Sequence, residues 1–348
     1  MSAVELIEVL PQHSFNESAL WRYLDGRLEG FATPAHLRQF QGGQSNPTFL
    51  ISTPRQRFVL RKKPPGHLLP SAHLVEREFR VLRALESQAV PVPRTHLLCE
   101  DPAVIGTAFY VMDHVEGRVF ANVALPDLAP AERRALYQDA VRVLAAIHRA
   151  DWQTSLGDFG KPERYVARQL ERWTKQYVAS QTEEQASMTR LMEWLQANVP
   201  QADETALVHG DYRLGNLIVE AHAPRVVAVL DWELSTLGHP LGDLAYACMF
   251  YRFPQNQVLG GLAGLDLATL GIPDEGELME LYRVHAQRAT LEHVNFFRAF
   301  ALFRSAAICQ GVYARALQGN AADRRASEHG RVARIAADIG WEIANGGG

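Results

Sequence analysis

The sequence predicts an α+β protein with two lobes, in which an antiparallel sheet with one main helix precedes a mainly helical region. Strand-like runs fill residues 37–62 and 94–115, and a helical segment lies between them at 71–88. From Ala131 onward helical periodicity dominates the chain. Short apolar runs at 207–233 interrupt the helices and carry a cluster of polar residues. We therefore expect an N-terminal lobe followed by a larger helical lobe.

Composition is that of an ordinary globular protein and excludes several functional classes. The chain has 348 residues, 47% of them hydrophobic and 21% charged, with a net charge of −4. This balance gives no reason to expect nucleic acid as a partner. Its cysteines, which lack metal-ligand spacing, are Cys99, Cys248 and Cys309. The N-terminus has acidic residues where a signal peptide has basic ones, and no apolar run could span a membrane. We expect a cytoplasmic protein without a membrane partner.

The N-terminal elements follow from local signals. Asn16 is a suitable N-cap for a first helix, whose leucines recur at helical spacing as Leu20, Leu24 and Leu28. Within residues 37–62, a turn at Pro54 predicts a hairpin. Ser71 could cap the helix over 71–88, whose apolar face includes Val81, Leu82 and Leu85.

The helical region begins after a linker between Pro126 and Pro130. Three helices are predicted before the interruption, the first amphipathic and starting near Ala131, then two over 163–180 and 185–198. Helices resume from about residue 241 and continue to the C-terminal glycines.

The most informative stretch reads VHGDYRLGNLIVEAHAPRVVAVLDWE and covers residues 208–233. Gly210 permits a sharp turn before Asp211, and Asn216 follows five residues later. This is the spacing of the kinase catalytic loop H-R-D-x-x-x-x-N. A Val-rich strand then ends at Asp231, which would meet Asn216 across a hairpin. Carboxylate and amide oxygens suit Mg²⁺. Any one of these residues could be a simple turn or strand-end residue, but the combination indicates phosphoryl transfer.

These motifs resemble the catalytic core of the aminoglycoside phosphotransferase-like kinases, which share the protein-kinase-like two-lobe fold. The likeness covers about residues 36 to 315. It is greatest to the kinase-like domain that some animal proteins carry fused to an acyl-CoA dehydrogenase, as VLRKKPPGHLLPSAHLVEREFRVL and FYVMDHVEGRVF indicate. The resemblance implies an N-terminal ATP-binding lobe over residues 1–113 and a catalytic, substrate-binding lobe over 114–348. It implies ATP and Mg²⁺ as cofactors, Asp211 as the catalytic residue, and metal ligands at Asn216 and Asp231.

A glycine-rich turn precedes the strand FVLRKK, as the phosphate loop precedes the lysine strand in kinases. Its candidate nucleotide-binding residues are Gly42, Gly43, Ser45 and Asn46. Glycines let backbone N–H groups approach an anion, although a plain hairpin turn has the same composition.

Arg61 stands where the resemblance leads us to expect a lysine. Alternation along a strand puts Arg61 and Lys63 on one face and Lys62 on the other. We favour Arg61 as the inward cation, paired with Glu78 of the following helix. An arginine could bind phosphate at least as well as a lysine, because its guanidinium presents two hydrogen-bond donors side by side. The other interpretation is a set of solvated surface charges.

The segment FYVMDHVEG corresponds, by resemblance, to the adenine-binding hinge. Backbone groups of Asp113 and Val115 would contact the base, and Met112 would line the back of its pocket. A strand that ends in a turn has the same appearance in sequence.

Supporting residues are also expected around the catalytic loop. Asp243, which opens a helix, is interpreted as a cap or as a partner of the catalytic-loop backbone. His209 is interpreted as a scaffold residue whose ring bonds nearby backbone. Glu233 could lie near a metal or be structural, and His148 is expected to be a packed or capping residue.

The acceptor is predicted to be a small molecule with an anionic part, because the late helices are basic and aromatic. Glu292 is the one acid between Tyr282 and Arg315, a stretch that also contains Arg283, Arg288, Arg298 and Arg304. Together with the resemblance, this favours a hydroxyacyl-CoA over a cationic aminoglycoside. If the arginines face solvent and the aromatics form core, this argument fails.

Three other functions remain open. An aminoglycoside phosphotransferase is one, and a catalytically weak pseudokinase or nucleotide-binding module, suggested by Arg61, is another. A protein kinase is disfavoured because no D-F-G follows the Asp211 loop, no A-P-E motif occurs, and a helix follows Asp231 with little room for an activation loop.

Overall fold

The computed structural model describes residues 5–41, 46–64, 74–201, 204–255, 260–318 and 328–346. The chain divides into two compact units, each built from separate segments of sequence. The first, here the sheet unit, comprises Met1–Ala121, Ala150–Phe159 and Leu214–Ser235. The second, here the helical unit, comprises Asn122–Arg149, Gly160–Arg213 and Thr236–Gly348. The assignment of residues 1–113 to ATP binding and 114–348 to catalysis stays a prediction.

The sheet unit is built on a six-stranded antiparallel sheet in the order β1-β2-β3-β4-β6-β5. Its strands are β1 Leu6–Ile7, β2 His36–Phe40, β3 Thr48–Ser52, β4 Arg57–Lys62, β5 Thr95–Cys99 and β6 Phe109–Asp113. The helices of this unit are α1 Glu17–Leu24, α2 Val75–Leu85, α3 Pro102–Ile105 and α5 Trp152–Leu156. A separate antiparallel hairpin is formed by β8 Leu217–Val219 and β9 Val226–Val229.

The two faces of this sheet have different neighbours because side chains alternate along each strand. One face packs against α1 and forms an apolar core that includes Leu20, Leu24, Phe49, Phe58, Leu60 and Phe109. The other face carries Arg61 directly opposite Tyr110 and lies against α2. Lys62, on the α1 side, is 3% exposed and sits over the Phe15 ring at 5.6 Å. Desolvation by burial lowers the pKa of Lys62.

The helical unit contains the longer helices and one short two-stranded sheet. Its helices are α4 Pro130–His148, α6 Tyr165–Ser180, α7 Ala186–Ala197, α8 Pro240–Cys248, α9 Leu267–Leu270, α10 Glu275–His285, α11 Val294–Leu317 and α12 His329–Ala344. Strands β7 Ala206–Val208 and β10 Thr236–Gly238 pair antiparallel. Helix α11 is the central element, since it contacts α6, α7, α8 and α12. Its phenylalanines are buried, and they are Phe296, Phe297, Phe300 and Phe303.

Most predicted elements are present, and the α+β, kinase-like arrangement of a sheet with helices followed by a helical region is confirmed. Asn16 caps α1 by accepting a hydrogen bond from the Ala19 N–H at 3.0 Å. Helix α2 begins at Val75, and the proposed cap Ser71 lies outside the described residues. The strand pair β5–β6 has the short helix α3 between its strands, which the sequence pattern did not reveal. Among the residues described, no helix combines the length and apolar character needed to cross a membrane.

Replacing Gly117 with alanine is expected to destabilise the sheet unit. The added Cβ would lie 2.4 Å from both Ile218 Cγ2 and the Val219 carbonyl oxygen. The neighbouring Arg118 exchanges two backbone hydrogen bonds with Val219, at 2.7 and 2.8 Å, so the chain cannot easily move away. We expect a loss of about 2–3 kcal/mol in the free energy of unfolding, measured by urea denaturation. Gly242→Ala is the control, because its Cβ would meet nothing within 4 Å. Equal unfolding midpoints for the two variants would contradict the prediction.

Candidate active site

In the sheet unit, the β8–β9 hairpin brings the predicted metal ligands to one end. Asn216 ends a short 3-10 turn before β8, and Asp231 follows β9. The Leu230 N–H donates to the Asn216 carbonyl oxygen at 2.8 Å, so the backbones of the two segments are joined. Asp231 has a φ of 66°, a left-handed conformation that is uncommon outside glycine. Strain of this kind is concentrated at functional positions.

Arg61 links the sheet, helix α2 and the segment after β9. Its Nε lies 2.9 Å from Glu78 Oε2, and its Nη2 lies 2.8 Å from Asp231 Oδ1. Glu233 Oε2 is 3.9 Å from the same Nη2. The pairing of Arg61 with Glu78 agrees with the expectation from strand alternation. Lys63, on the same face, instead pairs with Glu76 at 2.5 Å.

Acidic side chains outnumber basic ones among the ion-pair contacts of Arg61. Three carboxylates surround one guanidinium, and the Arg61 side chain is only 12% exposed. Burial raises the pKa of Glu78 to about 7. The charge of Arg61 lowers this pKa, whereas the charges of Asp231 and Glu233 raise it further. A second carboxylate oxygen of Glu78 accepts the Trp232 N–H at 3.3 Å. Asp231 therefore belongs to a cluster in which acidic side chains outnumber the one guanidinium.

Asn46 is the one residue of the proposed phosphate loop within the described part of the chain. Its side chain is fully buried, and its Nδ2 lies 3.5 Å from Glu233 Oε2. The Asn46 Oδ1 is buried without a hydrogen-bond partner among the described residues. The other proposed residues of this loop, Gly42, Gly43 and Ser45, lie outside the described residues. Their role in nucleotide binding stays a prediction.

The proposed hinge residues end the β6 strand as expected. Met112 is 7% exposed, and Asp113 is the last residue of β6. The Asp113 N–H donates to the Arg94 carbonyl oxygen at 2.8 Å, and its carboxylate lies 2.7 Å from His96 Nε2. Val115 follows the strand and is partly exposed. The geometry fixes this segment, while its contact with adenine stays a prediction.

In the helical unit, a buried aspartate holds the backbone of the loop that carries Asp211. Asp243 Oδ2 accepts the His209 N–H at 2.5 Å, and Asp243 Oδ1 accepts the Gly210 N–H at 2.9 Å. Gly210 has a φ of 85°, which explains the glycine at this turn. Of the two roles considered for Asp243, the structure shows the bond to the loop, whereas His239 occupies the N-cap of α8. The His209 ring accepts the Asp211 N–H at 3.2 Å and is a scaffold residue, as expected.

Tyr246 and Arg213 of the same unit both contact the carboxylate of Asp211. The Tyr246 hydroxyl donates to Oδ1 at 2.6 Å, and Arg213 Nε lies 3.3 Å from Oδ2. Burial and the charge of Asp211 raise the pKa of Tyr246 well above its ordinary value, so the phenol stays a donor. Sequence reasoning missed Tyr246. The available signal was its spacing of three residues from Asp243, which places both on one face of a helix.

His148 is packed, as expected, since its side chain is 3% exposed, and it also makes polar contacts. Its Nε2 lies 3.5 Å from Asp243 Oδ2, and its Nδ1 lies 2.7 Å from the Tyr282 hydroxyl. Arg304 adds a further support, because its Nη2 donates to the Gly210 carbonyl oxygen at 2.5 Å. Helices α4, α8 and α11 thus each contribute a side chain that fixes the catalytic loop or its support.

The basic, aromatic wall expected along the late helices is not a free surface. Three of its arginines are paired with acids, namely Arg283 with Glu280 at 2.6 Å, Arg288 with Glu204 at 2.5 Å and Arg298 with Glu275 at 2.8 Å. The phenylalanines of α11 are buried in the core. Sequence could not show this because two of the three acids, Glu204 and Glu275, come from distant elements. The wall therefore does not support an anionic acceptor.

The donor set in the sheet unit fits Mg²⁺. Asn216 and Asp231 offer an amide and a carboxylate, the hard oxygen ligands that Mg²⁺ prefers, and the nearby charge is negative. Within the described ranges, no group of three or more His, Cys, Asp or Glu side chains is arranged to hold a metal ion. An ion held by Asn216 and Asp231 would complete its coordination with phosphate oxygens and water, as Mg²⁺ commonly does.

Replacing Asp243 with asparagine is expected to lower stability in a pH-dependent way. Burial works to raise the pKa of Asp243, but hydrogen bonds from His148 and the loop backbone outweigh it and hold this pKa below its usual value. The carboxylate therefore contributes stability above about pH 4, and this contribution is lost as the pH falls through the lower folded-state pKa. At pH 7 Asp243→Asn should unfold about 2–4 kcal/mol more easily in urea. The difference should shrink at pH 3, and a constant difference would contradict the assignment.

Comparison with known proteins agrees with this arrangement. The model of the phosphotransferase enzyme family matches residues 36–281. Acyl-CoA dehydrogenase family member 11 of Homo sapiens is 43% identical over 347 residues, which is 98% of this chain and 44% of that protein. Family member 10 of Mus musculus is 45% identical over 331 residues, 94% of this chain and 31% of that protein. The chain thus spans less than half the length of these curated relatives.

Solved structures give the same result. A candidate aminoglycoside phosphotransferase from Ralstonia eutropha JMP134 superimposes with a TM-score of 0.88 and 48% identity, covering 96% of this chain and 99% of that one. Aminoglycoside phosphotransferase APH(4)-Ia, in complex with AMP-PNP and hygromycin B, has a TM-score of 0.55 at 17% identity, with 94% and 99% coverage. At that identity the likeness shows the fold alone. On the family match and the 48% identical structure, this chain belongs to the phosphotransferase enzyme family.

Proposed function

We propose that this chain is an ATP- and Mg²⁺-dependent kinase that phosphorylates a hydroxyl group of a small molecule. The observation that carries the proposal is the Asp211 carboxylate, oriented by Tyr246 on a loop whose backbone is fixed by Asp243. Such a group can accept the proton of a hydroxyl that attacks a phosphoryl group. AMP-PNP in the complex of APH(4)-Ia supports an adenine nucleotide as donor.

Each residue of the site would have a separate role in the reaction. Asp211 would orient the acceptor hydroxyl and take its proton, and Asn216 with Asp231 would hold Mg²⁺, which neutralises phosphate charge. Arg61, fixed by Glu78, would keep Asp231 in place and could also face the phosphates, because a guanidinium offers several donors. Asp113 and Val115 would present backbone groups to adenine.

For the acceptor, we propose a hydroxyacyl-CoA. Support comes from the relatives, which are named acyl-CoA dehydrogenase family members. Two cations also remain close to the catalytic carboxylate, since Arg213 contacts Asp211 and Arg304 contacts the Gly210 carbonyl. These would disfavour a polycation and tolerate an anion. The paired arginines of α10 and α11 no longer contribute to this argument.

A screen of acceptors tests the substrate proposal. Incubation with Mg-ATP and a panel of hydroxyacyl-CoAs, free hydroxy acids and aminoglycosides, followed by mass spectrometry, should show phosphate added to a hydroxyacyl-CoA. Turnover of an aminoglycoside without turnover of any hydroxyacyl-CoA would reject the acceptor while leaving the kinase activity intact.

Substitution of the two aspartates separates catalysis from nucleotide binding. Asp211→Ala should lower phosphoryl transfer at least about 10³-fold with little change in the Kd for Mg-ATP, because the carboxylate acts on the acceptor. Asp231→Ala should weaken Mg-ATP binding itself, measured by calorimetry, because it removes a ligand of the metal. Full activity of Asp211→Ala would refute its catalytic role.

A nucleotide-binding module without catalysis is the second candidate, and Arg61 in place of lysine is its support. Such a module would bind Mg-ATP in a thermal-shift experiment and yet hydrolyse no ATP and phosphorylate none of the panel. The Arg61–Glu78 pair in the structure favours an active enzyme, because it supplies the contact that a lysine would make.

A further inference from the structure

We propose that Tyr246 is a positioning residue for the catalytic carboxylate, holding Asp211 in one orientation; this rests on the proposed function of Asp211. The hydroxyl of Tyr246 donates to Asp211 Oδ1 at 2.6 Å. A hydrogen bond of this length to an ionised carboxylate is among the stronger ones in proteins. It fixes Oδ1 of Asp211, while Oδ2 lies 3.3 Å from Arg213 Nε.

Helix α8 supports both the backbone and the side chain of the catalytic loop. Asp243 and Tyr246 are three residues apart on α8, so they lie on one face of the helix. Asp243 accepts the N–H groups of His209 and Gly210, and Tyr246 bonds the carboxylate of the next residue. A single rigid element therefore fixes where the loop runs and how Asp211 points.

The tyrosine ring is itself held in place. The guanidinium of Arg304 lies 5.0 Å from the centre of the Tyr246 ring and 5.5 Å from that of Trp173. The same guanidinium donates to the Gly210 carbonyl oxygen. Cation–π contact with a fixed cation restricts the ring, so its hydroxyl stays directed at Asp211. Raising of the Tyr246 pKa by burial and by the Asp211 charge keeps the donor protonated.

This geometry predicts a specific kinetic effect. Loss of the hydroxyl would remove the 2.6 Å contact to Oδ1 and leave the longer contact with Arg213 as a weaker restraint on the Asp211 carboxylate. Small errors in the placement of a reacting group cost much rate. The nucleotide-binding residues would be untouched. Tyr246 should therefore affect turnover, through Asp211, and leave the affinity for Mg-ATP unchanged.

The test uses the full chain with Mg-ATP, water serving as the acceptor, and the release of inorganic phosphate as the signal. Tyr246→Phe should lower kcat about tenfold and leave KM for Mg-ATP within about twofold. Tyr251→Phe is the matched control, because its hydroxyl also makes a 2.7 Å bond, to the Pro273 carbonyl oxygen, away from Asp211. The control should keep the wild-type kcat. Thermal unfolding of both variants shows whether either substitution acts through stability.

A double-mutant cycle decides whether Tyr246 acts through Asp211. In an Asp211→Asn background, Tyr246→Phe should change the residual rate less than about twofold, because the residue that it positions has lost its function. Equal rates for Tyr246→Phe and the wild type, a raised KM alone, or the same loss in both backgrounds would overturn the positioning role. If the Asp211→Asn variant kept the wild-type rate, this result would overturn the proposed function of Asp211, and the positioning role with it.

Discussion

A buried guanidinium is the interaction on which the sheet unit depends. Arg61 lies in the fourth strand, yet its Nε and Nη2 reach Glu78 of α2 and Asp231 after β9. One side chain thereby fixes a strand, a helix and the turn that carries a predicted metal ligand. Burial of the Arg61 charge costs desolvation free energy, which the surrounding carboxylates offset. Arg61 in turn offsets the cost of burying Glu78.

In the helical unit, a buried carboxylate, that of Asp243, fixes the loop that carries Asp211. A loop that exposes a reactive carboxylate has backbone N–H groups that need partners, and Asp243 supplies two acceptors from a buried position. His148 and Tyr282 extend this support to α4 and α10. Tyr246 and Arg304 then fix the side chain and the carbonyl of the same loop. Helices thus fix the position of Asp211, the proposed catalytic residue, although it lies in a loop.

Ion pairing in the fold changes what the arginines of the late helices imply about the acceptor. Five arginines against one acid between Tyr282 and Arg315 suggest a positive surface. In the fold, Glu204, Glu275 and Glu280 neutralise three of them, and Arg304 is engaged by backbone and aromatic rings. The cations that remain relevant are those beside Asp211. The composition of a helix is thus a poor guide to its surface charge, because residues distant in sequence can neutralise it.

The sequence by itself determined the order of the elements, the catalytic motif and the face of β4 that carries Arg61. These are local properties, because strand alternation, helical periodicity and the Asp-to-Asn spacing act over a few residues. Only the tertiary structure decided that Arg61 also binds Asp231, that Asp243 bonds the loop rather than caps α8, and that Tyr246 reaches Asp211. Each of these contacts joins residues 33 or more positions apart, and packing, which no short pattern encodes, brings them together.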